Sequence, residues 1–257
     1  MLLTLAVAQG QTGAGSAEDP QDLPRSFSVE ADAWYASTTG WIFITRGSRA
    51  GTATRAREGD AFELDPQFLA TGKAWLRLWD SSALGFRMVS TEESGTSSVE
   101  HDFIYHGNTY AAGRKLRAEL GFLLMDLDYQ YVWEAAENLT VTPHLGAAYW
   151  KFSSRLRTVD ALPLIDEKRG FSSGYWLAGV DVDARLSQLI HLYGMLLGGA
   201  NGVDRYFAEA EIGASLHVSR SFALKLAYHF NEVRFHTSTN EADLMYHGPS
   251  VGLEFGF

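Results

Sequence analysis

Strict alternation of apolar with polar or small residues, held over long runs, constrains this chain more than any other feature. Near the end, Phe222, Leu224, Leu226, Tyr228 and Phe230 alternate with Ala223, Lys225, Ala227, His229 and Asn231. The last eight residues read Ser-Val-Gly-Leu-Glu-Phe-Gly-Phe. Tyr206, Ala208, Ala210, Ile212, Ala214, Leu216 and Val218 repeat the pattern, as do Trp176, Ala178, Val180, Val182 and Ala184, and Leu123, Met125, Leu127, Tyr129, Tyr131 and Trp133. A period of two puts each apolar set on one face of a β-strand. No helical stripe of comparable length competes, so the sequence predicts an all-β chain.

Run length separates a membrane barrel from a soluble one. Several runs hold the alternation for roughly 10–14 residues, whereas soluble strands average ~5–6 and a tilted membrane strand needs ~9–11. The opposing faces carry Glu209 with Glu211 and Asp181 with Asp183, beside Gly213 and Gly179, which suits a polar lumen. Tight connections at Asp80-Ser81-Ser82, Ser187-Gln188 and Ser219-Arg220 alternate with longer ones at 45–71, 91–113, 157–170 and 236–243. Up-and-down membrane barrels have this asymmetry. The aromatics Tyr129, Tyr131 and Trp133 at one strand end, and Tyr149, Trp150, Tyr175 and Trp176 at the other, read as interfacial girdles.

The predicted strands are 27–37 (with an extension to 45), 72–80, 83–91, 113–133, 138–153, 171–187, 189–199, 205–218, 221–235 and 244–257. This is a single up-and-down antiparallel transmembrane β-barrel of ten strands, with both termini on one side. The count falls to eight if 72–91 is not a strand pair and rises to twelve if the link at 99–112 holds a hairpin. Residues 26–257 form the barrel domain. Residues 1–25 read as a signal-peptide remnant and flexible stretch, because Met1–Ala8 is apolar and Ala6-Val7-Ala8 fits a signal-peptidase site, although no Lys or Arg precedes Arg25.

Composition excludes several alternatives. Without cysteine there is no disulfide framework, thiolate metal site or cysteine nucleophile. The net charge of −10 argues against nucleic acid as a partner. No apolar run approaches the ~20 residues of a spanning helix.

At Val251, Leu253, Phe255 and Phe257 the chain resembles the C-terminal assembly signal of bacterial outer-membrane β-barrels, an alternating last strand with a terminal aromatic. The resemblance implies residence in a bacterial outer membrane with periplasmic termini and contact with the insertion machinery during assembly. It also implies a surface bathed in membrane lipid and lipopolysaccharide. It names no subfamily, no protein partner and no substrate.

The candidate functional set is a lumen charge network of Glu30, Asp32, Arg77, Arg87, Arg117, Glu119, Asp126, Asp128, Asp181, Asp183, Arg185, Glu209, Glu211, Lys225, His229 and Glu254. In a narrow barrel such side chains meet across the interior and fill it. Carboxylates outnumber cations, so any leak should favour cations. Asp126-x-Asp128 and Asp181-x-Asp183 place paired carboxylates on one strand face but lack the glycine and later Glu of a calcium loop. No metal or other cofactor is implied.

Function divides into two classes. The first is a non-enzymatic barrel, either structural or a narrow cation-favouring channel for small solutes. The second is a hydrolase acting on lipid through His236 and Ser238. That spacing is similar to the His-x-Ser of outer-membrane lipid A deacylases, but Thr239 stands where those enzymes have Asn. Outer-membrane aspartyl-type proteases also use ten strands, but no Asp pair with a matching Asp-His pair is evident near the outer rim. Arg46, Arg49, Arg55 and Arg57 cluster in the first long link as candidate contacts for lipopolysaccharide phosphates.

Overall fold

A computed structural model describes residues 26–46, 53–58, 61, 63–159, 164–202, 204–237 and 239–257. The segment 1–25 and the residues Arg49 and Ser238 lie outside them. The described elements are all strands: β1 (Phe27–Ile44), β2 (Ala56–Arg57), β3 (Gln67–Trp79), β4 (Ser82–Ser98), β5 (Phe103–Tyr105), β6 (Asn108–Tyr110) and β7 (Lys115–Tyr131) in the first half. They continue with β8 (Trp133–Ala136), β9 (Leu139–Thr158), β10 (Asp166–Arg185), β11 (Ile190–Ala200), β12 (Arg205–Ser219), β13 (Phe222–His236) and β14 (Asn240–Gly256).

Ten long strands, β1, β3, β4, β7 and β9 to β14, pair antiparallel with their neighbours along the chain, and β14 closes onto β1. The seam is tied where β1 begins and β14 ends, because Ser26 N and Phe27 N donate to Phe257 O at 2.8 and 3.2 Å. The ten predicted strands are therefore all present. The link at 99–114 does hold a hairpin, β5–β6, but it forms its own two-stranded sheet and leaves the barrel at ten.

The outer face explains where the strands lie in a bilayer. On β9 the outward residues run Leu139, Val141, Pro143, Leu145, Ala147 and Tyr149, then change to Lys151, Ser153, Arg155 and Arg157. On β13, Phe222, Leu224, Leu226, Tyr228 and Phe230 give way to Glu232 and Arg234. β4 changes after Met88, and β7 changes above Leu123 to Gly121, Glu119 and Arg117. The apolar stretch of β9 covers ten residue steps, about 34 Å along a strand and about 26 Å along the axis at a tilt near 40°, the height of an outer-membrane apolar band.

Beyond this belt the strands continue, and the inward and outward polarities exchange. Below the change, apolar side chains face out and charges face in. Above it, β7 turns Leu116, Ala118, Leu120 and Phe122 inward and Arg117 and Glu119 outward. The loop-end half is thus built like a soluble barrel, stacked on a membrane half of opposite polarity.

This exchange corrects several sequence readings. The link expected at 236–243 is only 237–239, because Glu241 and Asp243 are outward residues of β14 above the belt, with Ala242 and Leu244 buried behind them. β4, β9 and β10 likewise run past their predicted loop-side ends, to Ser98, Thr158 and Asp166. Two of the supposed girdle aromatics, Trp150 and Tyr175, face inward, because their neighbours Tyr149 and Trp176 take the outer face.

Candidate functional site in the barrel lumen

The membrane half of the lumen holds a layer of ion pairs that cross from wall to wall. Lys73 on β3 reaches Glu30 on β1 at 2.7 Å and Glu211 on β12 at 2.8 Å. Lys225 on β13 also bonds Glu30 and lies 4.1 Å from the centre of the Tyr193 ring. Arg87 on β4 donates through Nε to Asp126 at 2.8 Å, with Nη2 at 2.7 Å from the same carboxylate oxygen, and donates to Glu209 across the lumen. Asn231 supplies Glu209 with a further bond at 3.0 Å. His229, 3.5 Å from Glu211, stacks on Trp34 at 5.2 Å. Asp32 is buried in the same layer. Its carboxylate fits because residue 252 is glycine, and a Cβ there would sit 1.8 Å from Asp32 Oδ1.

Below this layer the lumen opens into a cavity of about 490 Å³ at the end where β1 begins and β14 ends. Its walls include Arg77, Gln130, Tyr193, Lys225 and Glu254. His144 bonds Asp128 and lies 3.1 Å from Asp181, and His191 lies 3.0 Å from Asp183 while packing on His217. Both Asp-x-Asp pairs are therefore engaged with Arg87 or with imidazoles.

Above the ion pairs the lumen is filled by aromatic rings. Phe122 on β7 meets Tyr246 on β14 at 5.7 Å, and Trp150 on β9 meets Phe235 on β13 at 5.9 Å. Phe171 on β10 stacks on Phe235 at 3.9 Å and contacts Phe152 at 5.0 Å. Phe152 and Phe171 pair across the adjacent strands β9 and β10, while the other contacts join strands that are not neighbours and so span the lumen. The β5–β6 hairpin caps this layer. Tyr105 Oη shares a hydrogen bond with Ser154 Oγ at 2.7 Å, Tyr110 Oη donates to Leu156 O at 3.1 Å, and Asn108 donates to Glu167 at 2.9 Å. The hairpin turns at His106 and Gly107, both at positive φ (49° and 81°), as a tight two-residue turn requires. Burial and the adjacent Arg169 guanidinium hold the His106 imidazole below its ordinary pKa, so it accepts the Arg169 bond at 2.8 Å.

Thirteen of the sixteen expected network residues face this lumen: Glu30, Asp32, Arg77, Arg87, Asp126, Asp128, Asp181, Asp183, Glu209, Glu211, Lys225, His229 and Glu254. Arg117 and Glu119 do not. They pair at 3.0 Å on the outer wall, where the polarity of β7 has exchanged. Arg185 sits at the turn-end rim and donates to Glu137 O at 2.9 Å, apart from the network. Sequence reasoning missed Lys73, His144 and the whole aromatic layer. Lys73 was legible, since it shares the face of Arg77 in an alternating run. The ring layer was not, because nothing local to one strand says that Phe122 meets Tyr246.

His236 points outward and lies 3.0 Å from Glu241, at 50% side-chain exposure. Its intended partner Ser238 lies outside the described residues. The neighbouring turn is closed by Thr237 N donating to Asn240 O at 2.8 Å and by Asn240 N donating to Thr237 Oγ1 at 2.9 Å. Of the first-link arginines, Arg49 lies outside the described residues and Arg57 is exposed on β2. Arg55 lies over Trp41 and 3.5 Å from Glu241, while Arg46 packs beneath Gly107.

No family model matches the chain, and no curated protein matches it in sequence. Among solved structures it is similar to the outer membrane protease OmpT from Escherichia coli, with a TM-score of 0.61 over 92% of this chain and 100% of that one. The fold is that of a bacterial outer-membrane β-barrel. With 9% identity, the likeness to OmpT is one of fold. The transport unit of the autotransporter AIDA-I from Escherichia coli aligns at a TM-score of 0.45 and 8% identity, covering 93% of each chain. Ail of Yersinia pestis aligns at 0.39 and 8%, covering 90% of this chain and 100% of that one.

Proposed function

We propose that the protein is a closed, non-enzymatic barrel of a bacterial outer membrane, with its termini in the periplasm, acting through its surfaces and not as a pore. The aromatic layer carries this reading, because rings from opposite walls meet directly above a layer of wall-to-wall ion pairs. A solute entering the cavity from the terminus end stops at this double floor. The orientation is supported by the position of the apolar belt, which reaches the short-turn end, while the longer links and polar outer walls stand at the other. The alternating outward side chains Val251, Leu253, Phe255 and Phe257 lie beside the seam, available to the insertion machinery. The rest of the belt would be in contact with membrane lipid.

Planar-bilayer recording tests the closure. The native barrel is expected to give no steady conductance. A Trp150→Ala/Phe235→Ala/Arg87→Ser variant, with both floors breached, should conduct and favour cations, because carboxylates outnumber cations around the cavity. Steady, cation-selective conductance from the native protein would refute the closed barrel and restore the narrow-channel reading.

A further inference from the structure

The outer wall of β7, β9 and β10, just above the apolar belt, carries more cations than its own carboxylates offset: Arg117, Arg155, Arg157, Lys151 and Lys168 stand against Glu119 and Asp166, which pair with Arg117 and Arg155. Three strands in register give successive outward rungs. The upper rungs are Arg117–Arg157–Asp166 and Glu119–Arg155–Lys168. Next comes Gly121–Ser153–Gly170, then Leu123–Lys151–Ser172, and then the aromatic Tyr149. Arg117 stands directly opposite Arg157, and Arg155 directly opposite Lys168. Like charges facing each other across a sheet are destabilising. They persist here in a chain whose net charge is −10. Outward positions elsewhere around the same level are acidic or mixed, as at Glu92, Glu232, Glu241 and Asp243.

Between the cationic rungs lies a floor of small residues. A Cβ on Gly121 would come within 2.6 Å of Ser153 Oγ, and one on Gly170 within 2.9 Å of Phe152 O, so the rung has little room for larger side chains on its glycines. Arg155 and Lys168 stand one rung above and Lys151 one rung below. Each step is about 7 Å along the strand, within reach of a long basic side chain turned toward the notch. Lys151 and Lys168 are exposed and have no hydrogen bond or ion pair among the described residues. Arg155 is held by Asp166 at 2.6 and 2.7 Å, and the Arg155 hydrogen bond keeps the Asp166 carboxyl below the usual carboxylate range. Two rungs beneath the notch Tyr149 begins the apolar belt, and the 80%-exposed Trp176 lies one rung further down.

We propose that this wall binds the phosphorylated headgroup of a lipid in the leaflet at the loop end, with the phosphate over the Gly121–Ser153–Gly170 rung between Lys151 and the Arg155/Lys168 pair. An anion there relieves the facing like charges, Ser153 Oγ can donate to it, and the acyl chains continue down over Tyr149 and Trp176. The inference rests on the bilayer position proposed above. A failure of that position would show as protein that stays monomeric and soluble without detergent.

The test uses the folded full chain in neutral detergent micelles doped with diphosphorylated lipid A, and measures lipid phosphate retained after gel filtration. Lys151→Ser/Lys168→Ser should lower retention roughly tenfold or more, from the ~1 kcal/mol that each cation contributes near an anionic surface. Ser153→Tyr fills the notch without altering charge and should have a similar effect. Arg220→Ser at the opposite end is the control and should leave retention unchanged. Retention unaltered in both notch variants overturns the proposal, as does equal retention of phosphatidylcholine. Inorganic phosphate binding as tightly as the lipid would also overturn it, since the site would then hold a free anion. Heat-modifiable migration of each variant confirms that a loss is not a failure to fold.

Discussion

Replacing Arg87 with methionine keeps much of the side chain's bulk and removes its charge from the centre of the lumen. Arg87 is 5% exposed and is the cation between Asp126 and Glu209. Without it, Glu209 keeps the Asn231 bond at 3.0 Å, while Asp126 has no hydrogen-bond donor left among the described residues. Breaking a buried pair by deleting one partner costs ~3–5 kcal/mol, because the remaining charge stays desolvated. A loss of that size changes the unfolding constant by roughly a hundredfold to several thousandfold. It would be read as a fall in the urea midpoint for unfolding from lipid vesicles, followed by the compact band on unheated gels. The triple variant Arg87→Met/Asp126→Asn/Glu209→Gln should recover most of the loss, because it removes the orphaned charges together. If the single variant matches the native midpoint, the ion pairs are solvated surface pairs worth little and the lumen is wetter than its packing implies. If the triple variant is no better than the single, the arginine acts by filling space and not by charge.

Two further outcomes follow from particular contacts. Tyr105→Phe removes the hydrogen bond to Ser154 and should cost about 1 kcal/mol, making protease cleavage within 99–114 roughly fivefold faster; an unchanged rate would mean the hairpin is held by ring packing alone. Phe257→Ala keeps the backbone bonds to Ser26 and Phe27 but loses the stack on Phe27 at 6.5 Å. Refolding in vitro should then be nearly native while the heat-modifiable form in cells falls several-fold, and equal levels in cells would remove the role expected from its resemblance to an assembly signal.

What the sequence determined by itself was the existence of the strands. Side-chain alternation is a local property of an extended chain, so the ten runs and most of the charged residues lining the membrane half of the lumen were legible from period two, and the alternation of short and long links told their antiparallel order. The outward placement of Leu224, Leu226, Val251 and Leu253 and the inward placement of Lys225 and Glu254 follow from it directly. The tertiary structure decided what each face meets. Period two continues unbroken through β7, but the polarity of its faces exchanges near Phe122, where both neighbouring residues are apolar and the alternation carries no sign. Arg117 and Glu119 therefore read as lumen residues when they belong to the outer wall above the bilayer, and Glu241 and Asp243 read as loop when they belong to β14. The aromatic layer was hidden for a different reason. Phe122, Trp150, Phe171, Phe235 and Tyr246 come from five strands, and only closure of the sheet brings their rings together across one lumen. A strand's own sequence sets which side a residue takes. What fills the space on that side depends on the far wall of the barrel, 124 positions away in the chain for the Phe122–Tyr246 pair and 138 for Lys73–Glu211.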